Sequence, residues 1–195
     1  MNHSDPDASV TVEDPGPGVV TSRGPNSMPW SNQDLRLYHG TVDTHAGSVL
    51  SGVRLDHPNI RPSSDFGRGF YMTPSVHQAR KWAVSQSRSR FPGTQPAVVY
   101  FVVSRDEISR LESLWFVLGT PSAHDYWSLV KHFRGRPRGV NHCRGGASTW
   151  YDVVAGPVSR DWVNREIVPG ADQVSFHTQR AVAILNAVQD RGRLA

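Results

Sequence analysis

Two stretches decide how this chain reads: Leu37-Tyr38-His39-Gly40-Thr41, and Asp65-Phe66-Gly67-Arg68-Gly69-Phe70-Tyr71-Met72-Thr73. The first predicts a strand that delivers a histidine to a glycine. The second predicts a glycine-rich turn that feeds a short strand carrying a tyrosine. Together they describe a nucleotide cleft. An imidazole offers a ring N–H or an acceptor to a ribose hydroxyl. A phenol ring offers a flat face to a base. Glycines on either side let backbone approach a ligand closely.

Working outward, Leu35–Thr41 reads as a strand, Asp43–Ser51 as a short helix and Asp56–Gly69 as an irregular loop. Phe70–Thr73 reads as a short buried strand. Thr73 is expected to cap a helix with Pro74 at its first position, because Val76, Ala79 and Ala83 recur at helical spacing. Ala97–Val103 is β-branched and aromatic throughout, the clearest strand. Ser104-Arg105-Asp106-Glu107 predicts a capping box opening a brief helix. Ser122 is placed to cap another, with Tyr126, Trp127, Val130 and Phe133 on one face. Phe133–Ser148 is basic and glycine-rich and reads as a loop. Tyr151–Val154 and Val174–Phe176 are expected as late strands and Gln179–Val188 as a last helix. Short strands with interspersed helices predict an α+β domain over 33–195. Residues 1–32 have no apolar periodicity and read as a disordered N-terminal tail.

The YHG and DFGRGFYMT stretches are followed by Gln78-Ala79-Arg80-Lys81-Trp82-Ala83. Three later segments keep the same order: Tyr151–Val158, Gln173–Thr178 and Ala181–Leu185. From about Leu35 to about Val188 this pattern resembles bacterial ADP-ribosyltransferases of the His-Tyr-Glu class, to which diphtheria-type toxins and poly-ADP-ribose polymerases belong. The resemblance implies two small packed β-sheets with peripheral helices and an NAD cleft between them. It implies mono-ADP-ribosyl transfer from NAD to a macromolecule, with NAD as a consumed substrate.

On that resemblance His39 holds the adenosine ribose, Gly40 offers backbone groups to the nicotinamide amide, and Tyr71 stacks on the nicotinamide. Thr41, Arg68 and Gly69 complete the binding set, a cation in a glycine-rich turn being suited to a pyrophosphate. Tyr38, on the opposite face of a regular strand from His39, reads as a core residue. Asp65 reads as a loop organiser through local hydrogen bonds. The third motif departs from the class: Asp172-Gln173-Val174 stands where a Glu is expected. Gln173 aligns best and can accept a hydrogen bond from the ribose 2′-hydroxyl, but it supplies no charge and takes no proton. Asp172, one position away on the other face, and the more distant Glu166 are alternatives. Hydrolysis of NAD and a catalytically inactive NAD- or ADP-ribose-binding module are the rival functions.

Composition sets the remaining bounds. With 14 Pro and 17 Gly in 195 residues, the elements are expected to be short. A net charge of +4 permits an anionic ligand, although the basic residues are scattered. The Arg134–Arg144 stretch is the expected contact for an acidic protein or nucleic-acid acceptor. By analogy with toxins, an antitoxin or immunity protein is a further partner. No apolar run is long enough for a membrane helix, and the first residues have no signal-peptide pattern. The single Cys143 cannot form an internal disulfide, which fits a cytoplasmic protein. His124, His132, His142 and Cys143 match no common zinc spacing, so no metal is expected.

Overall fold

A computed structural model of the protein describes residues 33–60, 63–117, 123–135 and 150–194. The expected tail over 1–32, the Ser122 cap, and His142, Cys143 and most of the basic stretch lie outside the described residues.

The fold is a mixed α+β arrangement of two small sheets and several helices. The first sheet has the order β1 (Leu35–Val42), β3 (Pro96–Val103), β7 (Arg191–Arg193). The second has the order β2 (Phe70–Met72), β6 (Glu166–Phe176), β5 (Val153–Asp161), β4 (Ser113–Trp115). Every pairing is antiparallel except β4 with β5.

The nearly continuous apolar run of β3 is explained by burial on both faces. Val99, Phe101 and Val103 join Leu37 of β1 in a core shared with Phe70, Met72, Val153, Val174 and Phe176 of the second sheet. On the other face Val98 packs with Ala79 and Ala83 of α2 (Val76–Ser89). Tyr38 is half-buried against this second group, away from the face of His39. A separate aromatic cluster of Phe66, Phe116, Tyr126, Phe133 and Trp150 covers the outer face of the second sheet, with α4 (Ala123–Arg134) supplying Tyr126, Val130 and Phe133. The remaining helices are α1 (Asp43–Ser51), α3 (Arg105–Ser109) and α5 (Gln179–Ala187).

Several local expectations need correction. Ser75, not Thr73, caps α2, its hydroxyl accepting from the Gln78 N–H at 3.3 Å. Thr73 cannot serve because its backbone is committed elsewhere. Its N–H and carbonyl exchange hydrogen bonds with Tyr38 at 2.9 and 2.8 Å, so the carbonyl is not available to the first helical turn, and its hydroxyl accepts from the Ser75 N–H at 3.1 Å instead. Ser104 stands at the N-cap of α3 but its side chain makes no capping bond. Phe133 and Arg134 belong to the end of α4 rather than to a loop. The late strands are much longer than their apolar segments and form a hairpin that projects beyond the core, with exposed Glu166, Val168, Pro169 and Gly170. The hairpin turns at Trp162–Arg165, where Arg165 takes φ 58° and Asp161 accepts from the Val163 and Asn164 N–H groups. Among the described residues no helix is long and apolar enough to cross a membrane.

Candidate functional site

The two sheets meet where β1 crosses β2. The Tyr38–Thr73 bridge joins the strands there, and one residue further on His39 reaches the backbone of Tyr71. His39 Nδ1 lies 2.7 Å from the Tyr71 carbonyl oxygen. A carbonyl only accepts, so Nδ1 carries the proton. Burial pulls the imidazole pKa below its ordinary value, and the bond to the Tyr71 carbonyl opposes this only in part. The ring is therefore neutral at pH 7, with a lone pair on Nε2. Nε2 has no hydrogen-bond partner among the described residues, and the residue is half-buried. The ring is steadied by Phe70, with centroids 4.5 Å apart. A fixed acceptor at a junction of two sheets is the outcome.

Tyr71 joins His39 through its backbone alone. Its neighbours Phe70 and Met72 point into the shared core, so its ring leaves β2 on the other face. The Tyr71 hydroxyl donates to the Gly67 carbonyl at 2.7 Å and accepts from the Phe66 N–H at 3.0 Å. Burial raises the phenol pKa far above its ordinary value, so it remains a donor. The ring lies between Phe66 and His177, with centroids 6.4 and 6.2 Å away. Tyr71 thus fastens the 63–69 loop to the second sheet.

Both glycines read as points of ligand approach are points of protein packing. A Cβ on Gly40 would lie 2.2 Å from the Ala79 carbonyl oxygen and 2.9 Å from the Ala83 nitrogen, so α2 lies directly on β1 there. A Cβ on Gly69 would lie 2.7 Å from His177 Nδ1. Thr41 is buried on the His39 side of β1. The exposed Arg68 donates to the Leu55 carbonyl at 3.0 Å.

Gln173 sits in a buried polar network rather than beside His39. Its amide nitrogen donates to Asp65 Oδ2 at 2.7 Å and to the Pro157 carbonyl at 3.0 Å. Asp65, 3% exposed, also accepts from the Ser159 N–H at 2.9 Å and from Arg134 Nε at 2.7 Å. The expected loop organiser therefore acts over long range, tying its loop to β5, β6 and α4. Arg134, assigned from sequence to a basic partner-binding stretch, is instead paired with this carboxylate, its Nη2 lying 2.6 Å from Oδ1. A buried carboxylate needs such partners to keep its charge. Asp172 is exposed and by strand alternation falls on the face of β6 that carries Val174 and Phe176, the same face as their register partners Met72 and Phe70. It lies beyond the end of the β2 pairing, opposite Pro157 of β5. Glu166 is exposed at the far end of the hairpin, paired with Asp161.

Sequence reasoning missed two residues here. His177 bonds the Arg68 carbonyl through Nδ1 at 2.7 Å and Ser175 Oγ through Nε2 at 2.7 Å, locking the turn before β2 to β6. Trp82 is 53% exposed on α2. Arg80 and Val84, each two positions away and so on roughly the opposite side of the helix, face β3 and β7. That leaves the indole on the opposite flank of α2 from Arg80 and Val84. Its exposure, invisible in an alternating helical pattern, was the missing signal. Among the described residues no group of three or more His, Cys, Asp or Glu is placed to hold a metal.

Residues 35–170 match the family model described as a protein of unknown function (DUF3990), and the chain belongs to that family. No curated protein and no solved structure matches it.

Proposed function

We propose that this protein binds NAD at the crossing of β1 and β2 and transfers ADP-ribose to a macromolecular acceptor. The observation that carries the reading is His39, a neutral imidazole whose donor nitrogen is fixed on the Tyr71 carbonyl and whose Nε2 stands ready to accept. That is the state a ribose hydroxyl requires. Tyr71 supplies no free stacking face in this reading, since its hydroxyl is engaged by the 63–69 loop. In this reaction the nicotinamide–ribose bond breaks and nicotinamide leaves with the electron pair. The acceptor nucleophile then bonds to the anomeric carbon and loses its proton. Positive charge develops on the ribose, and a nearby carboxylate lowers that barrier. The side chain that supplies it is Asp172, not Gln173. Gln173 is uncharged, its nitrogen is engaged by Asp65 and Pro157, and it lies on the other face of β6. The glycines are no ligand cradle in this reading, because α2 and His177 fill the space beside them.

The test is to incubate the full chain with NAD labelled in the adenylate portion, with and without bacterial lysate, and follow label and free nicotinamide. Label entering protein or nucleic acid supports transfer. Asp172→Asn should lower turnover on the order of 10²-fold with little change in NAD affinity. His39→Ala should weaken NAD binding. No NAD binding at all would end the proposal.

A second reading is favoured by the structural commitment of Gln173: a module that binds NAD or ADP-ribose without turnover. It predicts measurable NAD affinity, lost in His39→Ala, with no nicotinamide released under any condition.

A further inference from the structure

The outer face of the first sheet is formed by the side chains that alternate with His39. On β1 these are Arg36, Tyr38 and Gly40, and across the β1–β3 register they stand beside Val102, Tyr100 and Val98. α2 covers the Gly40–Val98 end: its backbone rests on Gly40, and Val98 packs with Ala79 and Ala83. Beyond that end Tyr38, Tyr100 and Val102 are half-buried and Arg36 is exposed. The Tyr100 ring lies across β7, where a Cβ on Gly192 would come within 3.1 Å of it. The Arg36 guanidinium lies over the same ring, 5.0 Å from its centroid.

This strip is cationic. Arg80 of α2 borders Val98 and Leu194 at the covered end. Lys81 and Arg88 lie within about 100° of Arg80 around the helix. All three are exposed, α2 contains no acidic residue, and none of the three has a hydrogen-bond or ion-pair partner among the described residues. Asp190 reaches Arg36 at 3.7 Å, but the two side chains are 58% and 53% exposed, so the pair is weak. At a strand rise of about 3.3 Å per residue, Val98 and Val102 are ~13 Å apart. Arg80 and Arg36 therefore mark a short track with an aromatic ring between them. A polyanion with flat faces matches both features: phosphates answer the cations, and a base stacks on a guanidinium plane or a ring. A carboxylate-rich protein segment would answer the charge and leave the stacked pair unused.

We infer that this face binds single-stranded nucleic acid, with a base stacked on the Arg36–Tyr100 pair and the phosphate backbone running toward Arg80. His39 lies on the other face of β1, so the inference is independent of the proposed NAD site.

The experiment titrates the full chain into a labelled thymidine oligonucleotide of about 12 nucleotides and follows fluorescence anisotropy at several salt concentrations. Expected is saturable binding that weakens with salt. A duplex of the same length, whose bases present no free face, should bind more weakly, and so should polyglutamate. Arg36→Ala should weaken binding roughly tenfold, as loss of one stacking contact does. Arg36→Lys keeps the charge and loses the plane, so it should remain weakened. Arg80→Ala should reduce the salt slope by ~0.7, the value of one phosphate contact. Both arginines are exposed, so the fold does not depend on them. Lys131→Glu, a larger charge change on the exposed side of α4, should leave the affinity within about twofold. No binding at about 0.1 M salt, equal binding of the duplex or of polyglutamate, or unchanged affinity and salt slope in the Arg36 and Arg80 variants would overturn the idea. A uridine oligonucleotide of the same length distinguishes RNA from DNA as the bound form. NAD is absent throughout, so the result stands apart from the catalytic reading.

Discussion

His39 is where electrostatics and geometry act on one side chain. Desolvation holds its pKa below 6.5, the ordinary value. The unfolded chain therefore binds a proton that the folded one refuses. Its contribution to stability is intact above pH 6.5 and declines as pH falls from there toward the folded pKa. A His39→Gln variant should lose less stability than wild type over that interval, measured by urea denaturation at stepped pH. Parallel curves would show that His39 does not titrate as a buried group. Gln173 makes a second test. Gln173→Glu would bring a carboxylate to the place where an amide now donates to Asp65 at 2.7 Å. Like charges this close raise the pKa of one of the pair. The variant should be destabilised by ~1–3 kcal/mol at pH 7. A raised folded pKa means the deficit opens as pH rises above about 4.3 and is recovered on acidification. A deficit that does not shrink with falling pH would place the cause elsewhere.

Among the elements, the contact of α2 with β1 does most to shape the junction. Gly40 lets the helix backbone rest on the strand, and the adjacent His39 faces away from it toward β2. Gly40→Ala should cost at least ~2 kcal/mol, since the new Cβ would overlap backbone that cannot move aside. The same change at Gly47, which has no atom within 4 Å of an added Cβ, should be neutral or slightly stabilising. Thermal denaturation of the two variants gives the comparison, and equal melting temperatures would refute the packing account. Most element positions were legible in the chain itself: β1, β3, α1, α2 and α5 stand close to where the sequence places them. What was not legible were β4, β7 and the outer half of the β5–β6 hairpin. β7 is Arg-Gly-Arg, and β6 carries Pro169 and Gly170. Such strands exist because a neighbouring strand supplies hydrogen-bond partners, and no pattern in their own side chains records that.

For the whole molecule, the decisive feature is that both sheets contribute to one core. Phe101 of β3 and Phe176 of β6 are each fully buried in it. Unfolding of either sheet would expose the other. Phe101→Ala should cost about 3–5 kcal/mol. Its denaturation followed by tryptophan emission, dominated by the second sheet's cluster with Trp127, Trp150 and Trp162, should coincide with that followed by far-ultraviolet circular dichroism. Two separated transitions would mean the sheets are independent.

The α+β character, the strand carrying His39, the short strand carrying Tyr71 and the helix after it are all written in local order, because period and turn chemistry are properties of neighbouring residues. Which side chains meet is a property of the folded chain. His39 reaches the backbone of Tyr71 and not its ring, Trp82 rather than Tyr71 leaves an aromatic face exposed, and Asp65 is bound to Gln173 across 108 positions of sequence. Each follows from the crossing of two strands in different sheets and from the face on which a side chain falls. A shift of one residue reverses that face, and only packing against a second layer fixes it.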